Sequence, residues 1–300
     1  MVSRKAKILL NLLRSLPVKS TGDRSVERKR HILERTLSIL KVPKAITVEK
    51  TEINNLNAEW LYPTKIGYMK SEYTILYLHG GAYVIGSPKT HRAFAGRFSL
   101  ITETQVLLLD YRLAPEFPFP AALEDATKAY LNLIGDLELN PKKVIIMGDS
   151  AGGGLTLSTM LNLKSLRKPL PRAGICISPW TDLTLSGESV LTKEDEDPQL
   201  SKKNLEFAAE MYLQGQNPRN PLVSPLFGDL RGLPSIFIQV GTSEILLDDS
   251  IRFAKKALEQ GVNVELDIWE EMTHCFTLFG KMLPESRLAL QRIRDFLNNL

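Results

Sequence analysis

The sequence predicts an α/β domain in which a mainly parallel, eight-stranded sheet carries helices on both faces. Three observations predict it. Eight short runs rich in β-branched and large apolar residues recur along the chain, and from the third run onward most gaps between them hold a helical pattern. The central runs, such as TILYLH and QVLLLD, are nearly continuous in apolar residues, as strands covered on both faces require. With 300 residues, 43% of them hydrophobic and 24% charged, the chain is long enough and apolar enough for one large core.

The first two elements are helical, at about 4–16 and 25–40, the second with Val26, Leu33, Leu37 and Leu40 on one face. The opening stretch MVSRKAKILLNLLRSLPVKS has an apolar run broken by Asn11 and ended by Arg14, with no small-residue cleavage site, so it reads as an amphipathic helix. No stretch approaches the roughly 18 apolar residues of a membrane span. The net charge of +4 is mild, and the cluster Arg28, Lys29, Arg30 reads as a solvated helix face, so no nucleic-acid partner is expected. Two cysteines, Cys176 and Cys275, lie far apart in apolar settings, which fits buried free thiols and a cytoplasmic location.

The strands follow: ITVEKTEI at 46–53, AEWLY at 58–62, TILYLH at 74–79, QVLLLD at 105–110, KVIIM at 143–147, AGICIS at 173–178, SIFIQV at 235–240 and VELDIW at 264–269. The first two have no helix between them and are expected to pair antiparallel. One gap breaks the rhythm. Between AGICIS and SIFIQV lie the acidic EDEDP, a helical KKNLEFAAEMYLQG and a turn-rich stretch ending at Pro234. Such an insertion sits over the strand ends where open α/β sheets bind ligands, and with the two N-terminal helices it is expected to form a lid. Glu194 to Asp197, lacking spaced partners for a metal, reads as a solvated loop.

The junction VIIMGDSAGGGL carries the chemistry. Glycine in a first helical turn costs roughly 0.5–1 kcal/mol against alanine, so several together imply a steric need. Gly148-Asp149-Ser150-Ala151-Gly152 is a G-x-S-x-G pattern between a strand and a helix, the setting of a nucleophile elbow, in which Cβ atoms two residues either side of the serine would clash. Gly153 and Gly154 are expected to let the helix pack closely on the sheet. A phosphate-binding loop is not supported, since no Lys-Ser/Thr pair follows, and no G-x-G-x-x-G is present. A serine nucleophile needs a base and an oxyanion site. The third strand runs into HGGAY, 79–83, a glycine-rich loop placed where backbone N–H groups serve an oxyanion. In the order serine, acid, histidine, only His274 of the four histidines follows Ser150. For the acid, Glu244 lies in the loop after SIFIQV, whereas Asp248 and Asp249 fall at the start of a helix, where acids favour the dipole and cap the first turn.

HGGAY, YRLAPE at 111–116, GDSAGG, the E-x-L-x-D-D of 244–249 and the His-x-Phe of 274–276 together resemble the hormone-sensitive lipase family of α/β-hydrolase esterases, which includes bacterial carboxylesterases and arylacetamide deacetylases. The resemblance runs from about residue 70 to 280. It implies the α/β-hydrolase fold, with residues 1–45 as an N-terminal cap segment and a catalytic domain over 46–300 whose cap insertion spans about 182–228. It further implies a serine carboxylesterase acting on short- to medium-chain esters with water as co-substrate and with no cofactor or metal. Ser150, Glu244 and His274 would be catalytic, the oxyanion hole would lie at Gly80, Gly81, Ala82 and Ala151, and His79 would brace the glycine loop. Tyr83, Trp180, Phe207 and Met211 are candidate pocket walls or core residues. Two departures stand out: the family's His-Gly-Gly-Gly is His79-Gly80-Gly81-Ala82, and its usual Asp-Pro is Glu244-Ile245. Alanine keeps the N–H, so the oxyanion site is expected to survive if Ala82 avoids positive φ. An amidase or deacetylase would use the same residues. A non-catalytic small-molecule receptor of the same fold is the other class, and such receptors characteristically lose the histidine. Homodimers through the last strand are common among relatives, and VELDIW is expected to be an edge strand in need of cover.

Overall fold

The computed structural model describes residues 2–15 and 25–300. Two helices, α1 (Arg4–Ser15) and α2 (Val26–Leu37), precede the strands β1 (Ile46–Ile53), β2 (Leu56–Pro63), β3 (Thr74–Leu78), β4 (Gln105–Leu109), β5 (Val144–Asp149), β6 (Ala173–Ile177), β7 (Ser235–Gly241) and β8 (Val264–Trp269). These form one sheet in the order β1-β2-β4-β3-β5-β6-β7-β8. The β1–β2 and β2–β4 pairs are antiparallel and the remaining five are parallel. All eight expected strands are present, and the first pair has the expected sense. The end of the first predicted helix, Leu16, falls outside the described residues. The second helix stops at Leu37, three residues short of the expected end, and Leu40 is exposed.

Strand period divides the core between two layers. On one face Ile75, Tyr77, Val106, Leu108, Ile145 and Met147 meet Phe94, Ala95 and Phe98 of α3 (Pro88–Thr102), together with Leu290, Ile293 and Phe296 of the C-terminal helix, Pro284–Asn298. The alternate residues, Leu76, Leu78, Leu107, Leu109 and Ile146, face α4 (Ala121–Ile134), α5 (Ala151–Ser165) and the helix Leu247–Glu259. Each such side chain contributes about 1.5–3 kcal/mol when fully buried. Cys176 and Cys275 are buried and unpaired by disulfide.

Between β6 and β7 lie α6 (Ser189–Thr192), α7 (Lys202–Leu213) and a short 3-10 turn, Pro225–Phe227. This segment enters the core through Trp180, Leu205, Ala208, Tyr212 and Leu213. Two readings of charged runs need correction here. Arg30 is not a solvated charge: its guanidinium donates to Val84 O, Ala114 O and the Glu116 carboxylate, tying α2 to both the HGGAY and YRLAPE loops. Lys29 sits 5.3 Å over the Phe207 ring. In the acidic run, Asp197 is fully buried, because backbone N–H groups compensate its carboxylate: those of Gln199, Leu200 and Ile245.

Candidate active site

Ser150 occupies the turn between β5 and α5 at φ 54°, ψ −122°, a conformation that costs a non-glycine residue on the order of 1–3 kcal/mol. Hydrogen bonds hold it there: Ser150 N–H donates to Ile177 O at 2.8 Å, and Ser150 O accepts from Trp180 N–H at 3.0 Å and Gly154 N–H at 3.1 Å. The steric reading of the flanking glycines is borne out. A Cβ on Gly148 would stand 2.2 Å from Gly152 O, and one on Gly152 would stand 2.0 Å from Leu78 O. Gly154 differs from expectation in its neighbour, since its Cβ would strike Trp180 O, so this glycine admits the chain leaving β6 rather than the sheet itself.

The loop after β3 is held from beneath by Asp149. One carboxylate oxygen accepts the Tyr77 hydroxyl at 2.6 Å and the Gly80 N–H at 3.0 Å, and the other lies 3.4 Å from His91 Nε2. Burial opposes its ionisation, but His91 and the Tyr77 hydrogen bond outweigh that and hold the carboxyl below its ordinary value. Gly80, expected within the oxyanion hole, contributes no donor to it, because its N–H is spent on Asp149. The N–H groups of Gly81, Ala82 and Ala151 have no acceptor among the described residues, Ala151 because it opens a helix. Ala82 fails the stated condition: it stands at φ 54°, followed by Tyr83 at φ 63°. The left-handed conformation costs roughly 1–2 kcal/mol per residue without removing the N–H. The turn is fixed by Val84 and Ile85 N–H groups donating to Gly81 O. His79 is buried, stacked on Tyr111 at 4.3 Å, with Nδ1 2.8 Å from Gly80 O. Burial, reinforced by His91, pushes its pKa down to about 3, so it is neutral and structural in character.

His274 and Glu244 meet directly, Nδ1 to Oε2 at 2.7 Å, and both are buried. The other carboxylate oxygen, Oε1, accepts the Ser178 hydroxyl at 2.8 Å and the Gly241 N–H at 2.8 Å. Ser178 Oγ in turn accepts the Cys275 N–H at 3.1 Å. Burial alone would lower the His274 pKa, but Cys275 and Glu244 together raise it well above the ordinary value. Burial pushes the Cys275 thiol up to about 11, with His274 opposing that rise. His274 Nε2 lies 3.4 Å from Cys275 Sγ. Ser150 stands beside this pair, since Ile177 O takes its N–H and lies 3.9 Å from Cys275 Sγ, although no hydrogen bond joins Ser150 Oγ to His274 among the described residues. Such contacts often tighten only when substrate is bound.

The competing acids point elsewhere. Asp248 does not cap its own helix: Oδ2 accepts Ser189 N–H at 2.9 Å, at the first turn of α6. Asp249 Oδ2 accepts Thr181 N–H at 2.6 Å and Asp182 N–H at 2.8 Å, and burial with the neighbouring Asp182 pushes its carboxyl up to about 8. The candidate pocket walls separate into three kinds. Tyr83 and Trp180 are fully buried, Tyr83 stacked face to face on Tyr212 at 3.9 Å. Met211 is half-buried against the same core, and Phe207 is 45% exposed beneath Lys29. A cavity of about 380 Å³ lies between α1 and the acid loop, but its lining (Lys7, Leu10, Asn11, Glu196, Ser243, Glu271) includes neither Ser150 nor His274. Asp149 and Ser178 are the supporting residues that motif reading passed over. Only Asp149 carried a signal, its place beside the serine.

A family model described as alpha/beta hydrolase fold matches residues 75–278. The chain belongs to the α/β-hydrolase-fold family. The hydrolase is 41% identical over 245 residues to an acetyl-hydrolase of Streptomyces hygroscopicus, covering 82% of this chain and 80% of that one. It is 40% identical over 227 residues to an esterase of Acinetobacter venetianus, covering 75% of each. The crystal structure of an esterase from the bacterial hormone-sensitive lipase family superposes on all of this chain and 99% of its own with a TM-score of 0.93 and 38% identity. The resemblance drawn from the five motifs is thus borne out.

Proposed function

We propose that this α/β hydrolase is a serine carboxylesterase in which Ser150, His274 and Glu244 form a catalytic triad. The observation that carries the reading is the 2.7 Å contact between His274 Nδ1 and Glu244 Oε2, beside a serine held at φ 54° on a strand-to-helix turn. Ser150 Oγ attacks the ester carbonyl while His274 Nε2 takes its proton. Glu244 fixes the Nδ1–H tautomer and stabilises the imidazolium, which returns the proton to the departing alcohol. Water then adds to the acyl-enzyme with His274 again as base, releasing the acid and free serine. The negative oxygen formed in each half is received by the N–H groups of Gly81, Ala82 and Ala151.

Relatives named acetyl-hydrolase and esterase support a carboxylic ester with a short to medium acyl chain. Residues 1–45 and about 182–228 serve as the cap: α2 reaches the HGGAY loop through Arg30, and the insertion supplies Tyr212 against Tyr83. The two buried free thiols accord with the cytoplasm. The β8 edge, with Ile268 exposed, is the surface we assign to homodimer formation. The deciding experiment is hydrolysis of p-nitrophenyl esters by Ser150→Ala. A loss beyond roughly 10³-fold in kcat with an unchanged unfolding midpoint is expected, and retention of most activity removes Ser150 as nucleophile. Paired ester and amide substrates separate an esterase from an amidase.

A further inference from the structure

Among the residues outside the triad, one short segment of the insertion touches both the base loop and the acid loop. Asp197 is fully buried although its neighbours Asp195 and Glu196 are exposed. Its Oδ1 accepts the N–H groups of Gln199 at 2.8 Å and Leu200 at 3.0 Å, which folds the segment into a tight turn. Its Oδ2 reaches across the chain to accept the N–H of Ile245, the residue after Glu244, at 3.0 Å. The turn aims Gln199 at the other loop, where Nε2 donates to His274 O at 2.6 Å and lies 3.3 Å from Thr273 Oγ1. No cation pairs with Asp197 in these contacts. Three backbone N–H groups satisfy the buried carboxylate, and through them it ties the insertion to the acid loop while Gln199 ties it to the base loop.

We propose that Asp197 and Gln199 are positioning residues for the esterase reaction, a clasp by which the inserted segment fixes the backbone on which Glu244 and His274 are mounted. The inference rests on the triad reading above. Asp197 fixes the acid's backbone one residue from Glu244, and Gln199 fixes the carbonyl of His274 itself, so the two bonds together set the separation of the imidazole and the carboxylate. Ordering of the insertion is thereby coupled to the proton-transfer geometry and not only to the shape of the pocket. The titratable groups acting on Asp197 are His274 and Glu244. Burial raises its carboxyl above the ordinary value, with His274 opposing that rise and Glu244 adding to it. As an anion it favours the imidazolium, in the same sense as Glu244.

The test uses full-length Gln199→Leu, Gln199→Asn and Asp197→Asn, with Ser150→Ala as the control for the triad reading. For p-nitrophenyl acetate, Gln199→Leu is expected to lower kcat about 10- to 100-fold at nearly constant KM, since a misplacement near 1 Å costs about that much. Gln199→Asn, which keeps the amide, is expected to recover part of the loss. Asp197→Asn is expected to lower kcat and also to move the acid limb of kcat/KM to lower pH, a shift that loss of packing alone would not produce. If Asp197→Asn fails to fold, Gln199→Leu, whose side chain is only half-buried, decides alone. A Gln199→Leu enzyme with wild-type kcat, or with a raised KM only, overturns the clasp while an inactive Ser150→Ala leaves the triad standing. An active Ser150→Ala overturns both.

Discussion

Replacing Glu244 by glutamine tests the site at the point where its geometry is most constrained. The carboxylate makes three contacts: Oε2 with His274 Nδ1 at 2.7 Å, and Oε1 with the Ser178 hydroxyl and Gly241 N–H, both at 2.8 Å. Two of these partners are donors fixed at Oε1, so a glutamine keeps its carbonyl oxygen there and turns its NH2 toward His274. That group can only donate to a neutral Nδ1, which places the ring proton on Nε2, the atom that must accept from Ser150. In a related triad the same inversion costs about 10⁴ in kcat, or ~5.5 kcal/mol of transition-state stabilisation. The folded state loses far less. One charge-assisted contact becomes a neutral one, worth about 1–3 kcal/mol, so the midpoint should fall by less than about 10 °C. The pH profile gives a second readout. The base acts when neutral, and its pKa is raised, so the acid limb of kcat/KM should lie above the ordinary histidine value of 6.5 and move down when the Glu244 charge is removed. Linkage has the same sign: the charged pair stabilises the fold fully below pH 6.5 and that contribution fades as pH rises through the raised pKa. Steady-state hydrolysis of p-nitrophenyl acetate from pH 5 to 9 is the assay. A Glu244→Gln enzyme within tenfold of wild type, with its acid limb in place, would refute the reasoning.

Two further substitutions probe the supporting structure. Asp248→Asn should leave kcat within about twofold, because the side chain serves α6 through Ser189, and should change stability by less than about 0.5 kcal/mol, since the amide oxygen can still accept the Ser189 N–H, read by chemical denaturation. A severe loss of kcat in this variant would reassign the acid. Ala82→Gly should keep activity and raise the unfolding midpoint slightly, since relief of a left-handed alanine, about 1–2 kcal/mol, exceeds glycine's added chain entropy of roughly 0.5–1 kcal/mol. An unchanged or lower midpoint would mean the loop does not store that strain.

The strands were legible because parallel strands covered on both faces must be apolar at nearly every position, and β3 to β6 are buried throughout. The candidate triad of Ser150, Glu244 and His274 is legible for a different reason: its chain order and its places after particular strands follow from the sheet. What escaped reading depended on contacts between distant segments. Arg30 looked like one member of a basic cluster, yet it lies across two loops about 54 and 84 residues away in sequence. Tyr83 and Trp180 had the size of pocket walls but pack into the core, where Gly154 leaves room for the backbone of Trp180. The motif brings Gly80 into the oxyanion hole with its neighbours but does not fix the direction of each N–H. The Gly80 donor turns down to Asp149, whereas its neighbours' donors do not.

The replacement of Asp-Pro by Glu244-Ile245 shows how one departure is absorbed at two places. A glutamate puts the carboxylate one methylene farther from the backbone, and unsupported, the extra torsion would let it sample several rotamers and cost orientation at the imidazole. Ser178 and the Gly241 N–H remove that freedom by occupying Oε1, so the longer arm still meets Nδ1 at 2.7 Å. An isoleucine in place of proline adds a buried backbone N–H, which would cost about 1–3 kcal/mol if left without a partner. Asp197 supplies the acceptor. Each change at 244 and 245 is therefore matched by a polar group from another segment, Ser178 after β6 and Asp197 within the insertion. Neither partner is recognisable from the acid's own surroundings in the sequence, and removing either should disturb the imidazole before it disturbs the fold.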